Sequence, residues 1–348
     1  MTVRIFGILW MTLGSLLAQP LDLRLPTDNH HLFTGEFDKF YMYVDRNFEG
    51  AASKPWEAGS FGFVRNAARI QGEVILTKFH EGIDISPMRR DAAGNPLDLI
   101  GSISAGRVVY CSISASSSNY GKYVVVGHPW ENSLVFSVYA HLAEISCKPG
   151  DEVAAGGVLG RMGYTGDGLN RTRAHLHLEL GMLMSARYGD WHKLNVGSTN
   201  HHGLYNGMNI CGTEVSRFFT ERKANPNLTF SKFVTSTPVY FKVAVPINPG
   251  VPDFVKRYPW IAQGDLTAST ACEIGFTATG LPVSFAPTSL SVTTSIITSV
   301  RPSKFPHRHL TRGLVTGEGN RATLTDGGKK LIALLTDDFP VTPTPPPP

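Results

Sequence analysis

Short apolar stretches, separated by glycines and polar turn residues, dominate the chain from Trp56 to about Val215. Their β-branched and aromatic content, and lengths of fewer than ten or so residues, are typical of β-strands rather than helices. A glycine-rich hairpin is predicted at 148–163, where Pro149-Gly150 marks a turn. The fold class is therefore mainly β, with strands predicted at GRVVYCSIS (106–114), KYVVVGHP (122–129), SLVFSVYAHL (133–142) and AHLHLEL (174–180).

The pattern changes on either side of this region. Residues 19–55 are irregular but carry an aromatic patch, FDKFYMYVDRNFEG, that is expected to pack onto a neighbouring domain. A helix is predicted in 212–226, with Thr213 as its N-cap and Pro226 ending it. Strands return at PVYFKVAVPI (238–247) and SVTTSIITSV (291–300). The predicted organisation is an export signal (1–18), an N-terminal segment (19–55), a β domain (56–215), a β-rich C-terminal extension of unassigned role (216–335) and a proline-rich tail (336–348).

The first residues resemble a secretory signal peptide. MTVR supplies positive charge, IFGILWMTLGSLLA supplies an apolar run, and Ala18-Gln19 offers a cleavage point. The run is too short for a membrane span, and no cysteine follows it for lipid attachment. We therefore expect the mature chain to be secreted or periplasmic, without stable membrane insertion.

The amino-acid composition limits the kinds of molecule that the chain is expected to bind. The 348 residues carry a net charge of +4, with 42% hydrophobic and 17% charged residues. This mildly basic balance suits an anionic polymer such as a cell wall, but it lacks the dense Lys/Arg face of a nucleic-acid-binding protein. Four cysteines permit disulfides in three connectivities, and none lies in a CxxC pair. No GxSxG nucleophile motif is present.

Candidate chemistry lies in the histidines. Along a strand, His175 and His177 point to the same face, opposite the leucines of AHLHLEL. Upstream, His80 and Asp84 are spaced like the histidines of a helical HExxH motif, but Asp84 replaces the second histidine and glycine disfavours a helix there. A catalytic zinc ion binds three His or Asp/Glu side chains and leaves a fourth position for water. His80, Asp84 and one histidine of HLH would supply that set, with the other HLH histidine and His141 beside it.

These motifs together resemble the lysostaphin-type zinc metalloendopeptidases of peptidoglycan, with their HxxxD and HxH signatures. The order agrees over about residues 56–185, through GSFGFVRN, HEGIDIS, AGRVVY, YGKYVVVGH, YAHL, KPGDEVAAGGVLGRMGYTG and HLHLEL. The resemblance implies a metal-binding groove in an antiparallel-sheet catalytic domain, with His80, Asp84 and His177 binding Zn²⁺. It implies that His141 and His175 are catalytic, and that the substrate is a peptide cross-link of bacterial peptidoglycan.

Several features depart from the family pattern or remain open. The loops MRRDAAGNPLDLIGSIS (88–104) and DGLNRTRA (167–174) differ from the family's and are expected near the groove. Glu179 is either a partner of a ligand imidazole or an exposed strand residue. The downstream pair His307 and His309 is interpreted as surface. HHGLYNGMN (201–209) is predicted to be a loop, and His192, His201 and His202 are considered as contacts to substrate or metal but are not assigned to the site.

Two other functions are suggested by parts of the sequence. One is a non-catalytic protein that binds cell wall and activates a partner hydrolase, but such members typically lack ligand residues, and this chain keeps all three ligand residues and both catalytic histidines. The other is a biotinyl or lipoyl carrier domain, suggested by the hairpin at 148–163. It is rejected because Arg161-Met162 stand where the modified lysine would be needed.

Overall fold

The computed structural model describes residues 21–247 and 250–340. The predicted export signal (1–18) and the tail from residue 341 lie outside this part. The strands are β1 (Arg46–Phe48), β2 (Ala51–Ser53), β3 (Gly62–Ile70), β4 (Glu73–His80), β5 (Ile83–Ile85), β6 (Leu99–Gly101), β7 (Gly106–Ser112), β8 (Tyr123–Trp130), β9 (Ser133–Ala140), β10 (Leu142–Ile145), β11 (Glu152–Val153), β12 (Val158–Met162), β13 (Leu176–Leu183), β14 (Ile210–Gly212), β15 (Phe241–Pro246), β16 (Ala271–Phe276), β17 (Pro282–Pro287), β18 (Ile296–Val300), β19 (Val315–Thr316) and β20 (Thr323–Leu324).

Helices are short and lie mostly toward the C-terminus. The α-helices are α1 (Phe37–Phe40), α2 (Tyr188–Asn195), α3 (Val215–Ala224), α4 (Phe230–Thr235), α5 (Asp253–Arg257), α6 (His307–Leu310) and α7 (Asp326–Thr336). Single 3₁₀ turns occupy His31–Phe33, Trp56–Gly59, Arg171–Arg173, Pro259–Ile261 and Gly319–Arg321. None of the helices within the described ranges is long and apolar enough to cross a membrane.

The central sheet has the strand order β11-β7-β8-β9-β13-β14, and β5 pairs with β13 as well. All of these pairs are antiparallel. The mainly β, antiparallel prediction is therefore confirmed. Each of the four strand predictions within 106–180 coincides with a strand, although SLVFSVYAHL is broken at His141 into β9 and β10.

Strand β13 is buried along its whole length. Leu176, Leu178 and Leu180 pack in the main hydrophobic core, as their alternation predicts. The opposite face is covered too, since His177 is 5% exposed and Glu179 is fully buried. The alternative of Glu179 as an exposed strand residue is therefore wrong. A carboxylate and an imidazole buried side by side require mutual hydrogen bonds or a bound cation to offset their desolvation.

The N-terminal segment forms part of the same core. Tyr41 makes a single antiparallel bridge with Ile85 of β5, and its ring stacks on Trp56 at 5.7 Å between centroids. Phe40 is completely buried. The aromatic patch therefore packs as expected, against the strand that carries Asp84.

The C-terminal region includes a four-stranded antiparallel sheet, β17-β16-β15-β18. It packs on the central sheet through specific contacts: the Tyr258 hydroxyl accepts a hydrogen bond from the Leu183 amide at 2.8 Å and donates one to the Leu134 carbonyl at 2.9 Å. Buried apolar residues of the two regions belong to one continuous cluster. This packing favours a structural role for the region.

Two local predictions here need correction. Helix α3 begins after Glu214 rather than after Thr213, because the Thr213 hydroxyl donates to the Leu180 carbonyl of β13 at 2.9 Å and does not cap the helix. The helix ends at Ala224, ahead of Pro226 as expected. Of the predicted strand 291–300, only Ile296–Val300 forms one.

His128 of β8 gives the fold a pH dependence of its own. Its ring is completely buried, with Nδ1 donating to the Ala105 carbonyl at 2.9 Å and Nε2 lying 2.7 Å from the Ser137 hydroxyl. Burial lowers its pKa from 6.5 to about 4. Between those pH values the unfolded chain binds a proton that the folded chain does not, so stability must fall as pH drops from 6.5 to 4. The loss approaches ~3 kcal/mol.

A His128→Gln variant separates this effect from the titration of other groups. Urea unfolding at pH 7 and pH 4 should show a smaller loss of stability in the variant than in the wild type, whatever the variant's stability at pH 7. Equal losses in the two proteins would contradict the assignment to His128.

Candidate metal centre

Three side chains meet where β4, β5 and β13 come together. His80 ends β4, Asp84 lies in β5, and His177 lies directly opposite Asp84 in the β5–β13 register. Gly82 is required in the turn between the first two, because a Cβ there would collide with the Leu178 carbonyl. The tight turn thus presses the His80–Asp84 pair against β13. The sequence spacing alone does not show this contact.

The three inward-facing atoms form a nearly equilateral triangle. His80 Nε2 is 3.1 Å from His177 Nδ1 and 3.1 Å from Asp84 Oδ1, and His177 Nδ1 is 3.0 Å from Asp84 Oδ1. Ligands at zinc–donor distances of about 2.0–2.1 Å in a tetrahedral site are separated by about 3.3 Å. The triangle therefore has nearly the edge length that a tetrahedral zinc ion requires.

Hydrogen bonds outside the triangle orient both of its imidazoles. His80 Nδ1 donates to the Ser60 carbonyl at 2.8 Å, which leaves its Nε2 lone pair facing inward. His177 donates from Nε2 to Glu179 Oε1 at 3.0 Å, which turns its Nδ1 inward instead. With Nδ1 of His177 unprotonated, three acceptor atoms converge, and a positive charge among them, either a proton on Nδ1 or a metal ion, offsets their mutual repulsion.

The pKa values at the centre follow from this arrangement. Burial opposes charge on His177, but hydrogen bonds from its two ring nitrogens to Asp84 and Glu179 raise its pKa to about 10. Burial would also raise the pKa of Asp84, yet the neighbouring His80 and His175 hold it well below its usual range. Burial lowers the pKa of His80. The centre thus favours an ionised carboxylate beside a positive charge, and a divalent cation fits this donor set.

The remaining two predicted residues lie beside the triangle. His175 Nδ1 donates to the Arg173 carbonyl at 2.7 Å, and its Nε2 is 3.4 Å from Asp84 Oδ1. His141 Nδ1 donates to the Thr165 carbonyl at 3.0 Å, and its ring packs edge-on to His175 at 4.8 Å between centroids. All five predicted site residues are therefore brought together in one cluster.

The backbone at His141 is unusual. Its φ of 65° lies in the left-handed region, at the break between β9 and β10. A non-glycine residue in this region typically costs on the order of 1 kcal/mol or more, and such strain concentrates at functional sites. Burial, reinforced by repulsion from His175 and His177, lowers the pKa of His141 well below 6.5, so its imidazole is neutral at pH 7.

Two supporting residues were missed by the sequence reasoning. Arg65 of β3 donates to Asp84 Oδ2 at 2.5 Å and to the Ala58 carbonyl at 2.9 Å, so that Oδ1 is the oxygen left for the triangle. The Tyr120 hydroxyl donates a short hydrogen bond to Glu179 Oε1, the same oxygen that accepts from His177. Both lie within stretches that carry the family resemblance, Arg65 in GSFGFVRN and Tyr120 in YGKYVVVGH, but no spacing pattern assigns a role to either.

The cluster forms the floor of a cleft of about 590 Å³. Among the residues lining the cleft are Asp167, Gly168, Leu169 and Arg173, which belong to the unusual loop 167–174. The other unusual loop, 88–104, packs behind it, since Arg90 donates to the Arg171 carbonyl at 2.7 Å. Only the first of the two loops therefore lines the cleft.

The other histidines lie elsewhere. His192, His201 and His202 line a second cavity of about 560 Å³, which adjoins the cleft at Glu81, Asn119 and Tyr120. The interpretation of His307 as a surface residue is wrong, because it is 3% exposed and its Nδ1 is 2.9 Å from the Tyr240 hydroxyl.

Glu179 offers a direct test of the support given to His177. Replacing it with glutamine removes the charge that fixes the inward-facing Nδ1, and we expect zinc affinity to fall about 10- to 100-fold. Tyr120→Phe keeps the carboxylate and should cause a smaller loss. Competition with a chromophoric chelator measures both, and wild-type affinity in Glu179→Gln would show that the contact does not orient the ligand.

Comparison with known proteins gives one family match. Residues 78–187 match the sequence model of Peptidase family M23, and these residues include all five members of the cluster. No curated protein matches the chain.

Solved structures with similarity include several peptidases. The catalytic domain of the antimicrobial peptidase lysostaphin from Staphylococcus simulans is 19% identical, covering 51% of this chain and 91% of its own, with a TM-score of 0.29. A mutant catalytic domain of the prophage-encoded M23 protein EnpA from Enterococcus faecalis is 28% identical, with coverages of 30% and 68% and a TM-score of 0.24. A putative glycyl-glycine endopeptidase lytM from Ruminococcus gnavus is 27% identical, with coverages of 29% and 39% and a TM-score of 0.23. TM-scores this low carry no structural argument, so among these comparisons only the match to the family's sequence model bears on function.

Proposed function

We propose that this chain is a zinc-dependent endopeptidase that cuts peptide cross-links of bacterial peptidoglycan outside the cytoplasm, since residues 78–187 match the sequence model of Peptidase family M23. The observation that carries the proposal is the triangle of acceptor atoms from His80, Asp84 and His177, with its 3.0–3.1 Å edges. The apolar N-terminal segment supports export, and the mild positive charge suits an anionic wall.

In this proposal the three triangle residues hold the metal. When bound, a zinc ion lowers the pKa of a water molecule toward ~7 and polarises the scissile carbonyl. Arg65 holds the second oxygen of Asp84, so the carboxylate presents a single oxygen inward. Glu179 and Tyr120 hold His177 with its Nδ1 inward.

The His141–His175 pair carries the proton transfers. Each ring donates from Nδ1 to a backbone carbonyl, so a neutral ring keeps its Nε2 lone pair for the substrate side. Either Nε2 is able to accept the proton of the attacking water, and a protonated ring is able to donate to the departing amine. The carbonyl of Thr165 and that of Arg173 fix the tautomers, so the pair is pre-oriented before substrate arrives.

A cell-wall assay tests the proposal. The zinc-loaded full chain is expected to lower the turbidity of purified peptidoglycan and to release new free amino groups, which distinguishes peptide cleavage from glycan cleavage. Chelation and His175→Ala should each abolish both signals. His30→Ala is the matched control, because His30 is an exposed histidine remote from the cleft and should keep full activity.

The non-catalytic alternative predicts a different result. A protein that only binds wall would sediment with peptidoglycan while releasing no amino groups at any zinc concentration. That outcome, together with folded protein and full zinc occupancy, would refute the proposed activity.

A further inference from the structure

Strand β7 and the turn that follows β10 run alongside each other in opposite directions. The Val108 amide donates to the Asp151 carbonyl at 2.9 Å, and the Gly150 amide donates to the Val108 carbonyl at 2.8 Å. Further along, β11 continues this pairing, with Glu152 opposite Arg107. In the opposite direction along these two segments, Cys111, near the end of β7, lies beside Cys147, just before the turn.

The two side chains meet at that point. Cys111 Sγ lies 3.8 Å from the Cys147 carbonyl oxygen, and Cys147 Sγ lies 3.6 Å from the Leu159 carbonyl oxygen. Both thiols are half-buried and pack against the main core. The interaction between the two thiols lowers the pKa of Cys147 and, with burial, raises that of Cys111. Thiols in such close contact need little backbone movement to be cross-linked.

We propose that Cys111 and Cys147 form a disulfide when the chain meets a disulfide-bearing thiol oxidant outside the cytoplasm. The Cys147 thiolate attacks one sulfur of the oxidant and expels the other as a thiolate, forming a mixed disulfide. Cys111 loses its proton and attacks Cys147 Sγ, which releases the second half of the oxidant. The two cysteine sulfurs are oxidised by two electrons in total, and the oxidant is reduced to two thiols.

The other two cysteines are placed to remain thiols. Cys211 Sγ lies 3.7 Å from the Gly280 carbonyl, and Cys272 lies in β16 opposite Val245 and Pro287. Both are buried, and burial raises the pKa of each to about 12, so almost no thiolate forms near neutral pH. Of the four cysteines, Cys111 and Cys147 are therefore the pair expected to form a disulfide, while Cys211 and Cys272 stay reduced.

The cross-link would bear on the site indirectly. It closes a loop that contains β8, β9 and His141, and it anchors the end of the segment that starts at His141. Because His141 holds a strained left-handed backbone, fixing the chain shortly after it opposes relaxation on heating. We expect reduction to lower the midpoint of thermal unfolding by roughly 5–10 °C.

Thiol counting tests the proposal. The full chain is equilibrated with mixed oxidised and reduced glutathione, denatured, and titrated with a thiol reagent. We expect the four thiols of the reduced protein to fall to two, with a mass loss of about 2 Da from the two departing hydrogens and one linked peptide pair containing Cys111 and Cys147. Cys111→Ser should keep three titratable thiols, and the control Cys272→Ser should keep one.

The contrary results are equally distinct. Four thiols in the oxidised wild type, or a linked peptide containing Cys211 or Cys272, would overturn the assignment. Since the decisive measurement is made on the wild type, poor folding of a serine variant does not affect it. The test does not depend on hydrolytic activity.

Discussion

Replacing His175 with alanine is expected to lower kcat by about 10²- to 10⁴-fold, the usual loss when a positioned acid–base group is removed. The zinc content should stay at the wild-type value, because the triangle uses His80, Asp84 and His177 and does not include His175 Nε2. His141→Ala should show a comparable loss. Steady-state hydrolysis of a cross-linked peptide and elemental analysis of the same samples measure the two quantities.

The double variant His141→Ala/His175→Ala shows whether the two histidines serve one proton-transfer step or two independent steps. If His141 and His175 serve one proton-transfer sequence, removing both should cost little more than removing either, since residues that act as a unit are strongly non-additive. A His175→Ala protein that keeps kcat within about threefold of wild type would contradict a role as an acid–base group. Loss of zinc in that variant would make His175 a ligand instead.

The second large effect is expected at Asp84. Asp84→Asn keeps the size of the side chain but removes its charge, and we expect zinc affinity to fall by more than about 100-fold. That loss exceeds the one typical of residues that hydrogen-bond to a metal ligand without touching the metal. Activity at limiting zinc should fall in parallel. Chelator competition measures the affinity, and thermal unfolding of the metal-free proteins checks that the variant is folded.

Arg65 provides the matched comparison for Asp84. In Asp84→Asn its guanidinium loses a carboxylate partner at 2.5 Å, which lowers stability separately from metal binding. Arg65→Met removes the guanidinium and leaves the Asp84 carboxylate in place, so this variant should retain zinc far better than Asp84→Asn. Equal affinities in Asp84→Asn and wild type would exclude Asp84 as a ligand.

Much of this site can be predicted from the sequence because its residues lie in or beside strands. Alternation places His177 and Glu179 on one face and the leucines on the other, and the structure agrees. The short spacing between His80 and Asp84 is informative for a similar reason, because a tight turn brings them together. The register that sets Asp84 opposite His177 could not be predicted, since pairing of distant strands depends on the whole sheet.

Other features depend on tertiary contacts that leave no local pattern. Arg65 and Tyr120 reach Asp84 and Glu179 across the fold. Thr213 has the composition of a helix N-cap, but its hydroxyl bonds to the Leu180 carbonyl instead. His307 resembles a surface residue in sequence, yet Tyr240 shields it. In each case a partner distant in the chain decides the environment.

Elemental analysis of the purified protein, wild type beside His177→Ala, tests the central claim most directly. The triangle of His80, Asp84 and His177 predicts close to one zinc per chain in the wild type and almost none in the variant. A folded wild-type protein that stays metal-free after zinc is supplied would contradict the metal centre and, with it, the proposed peptidase activity.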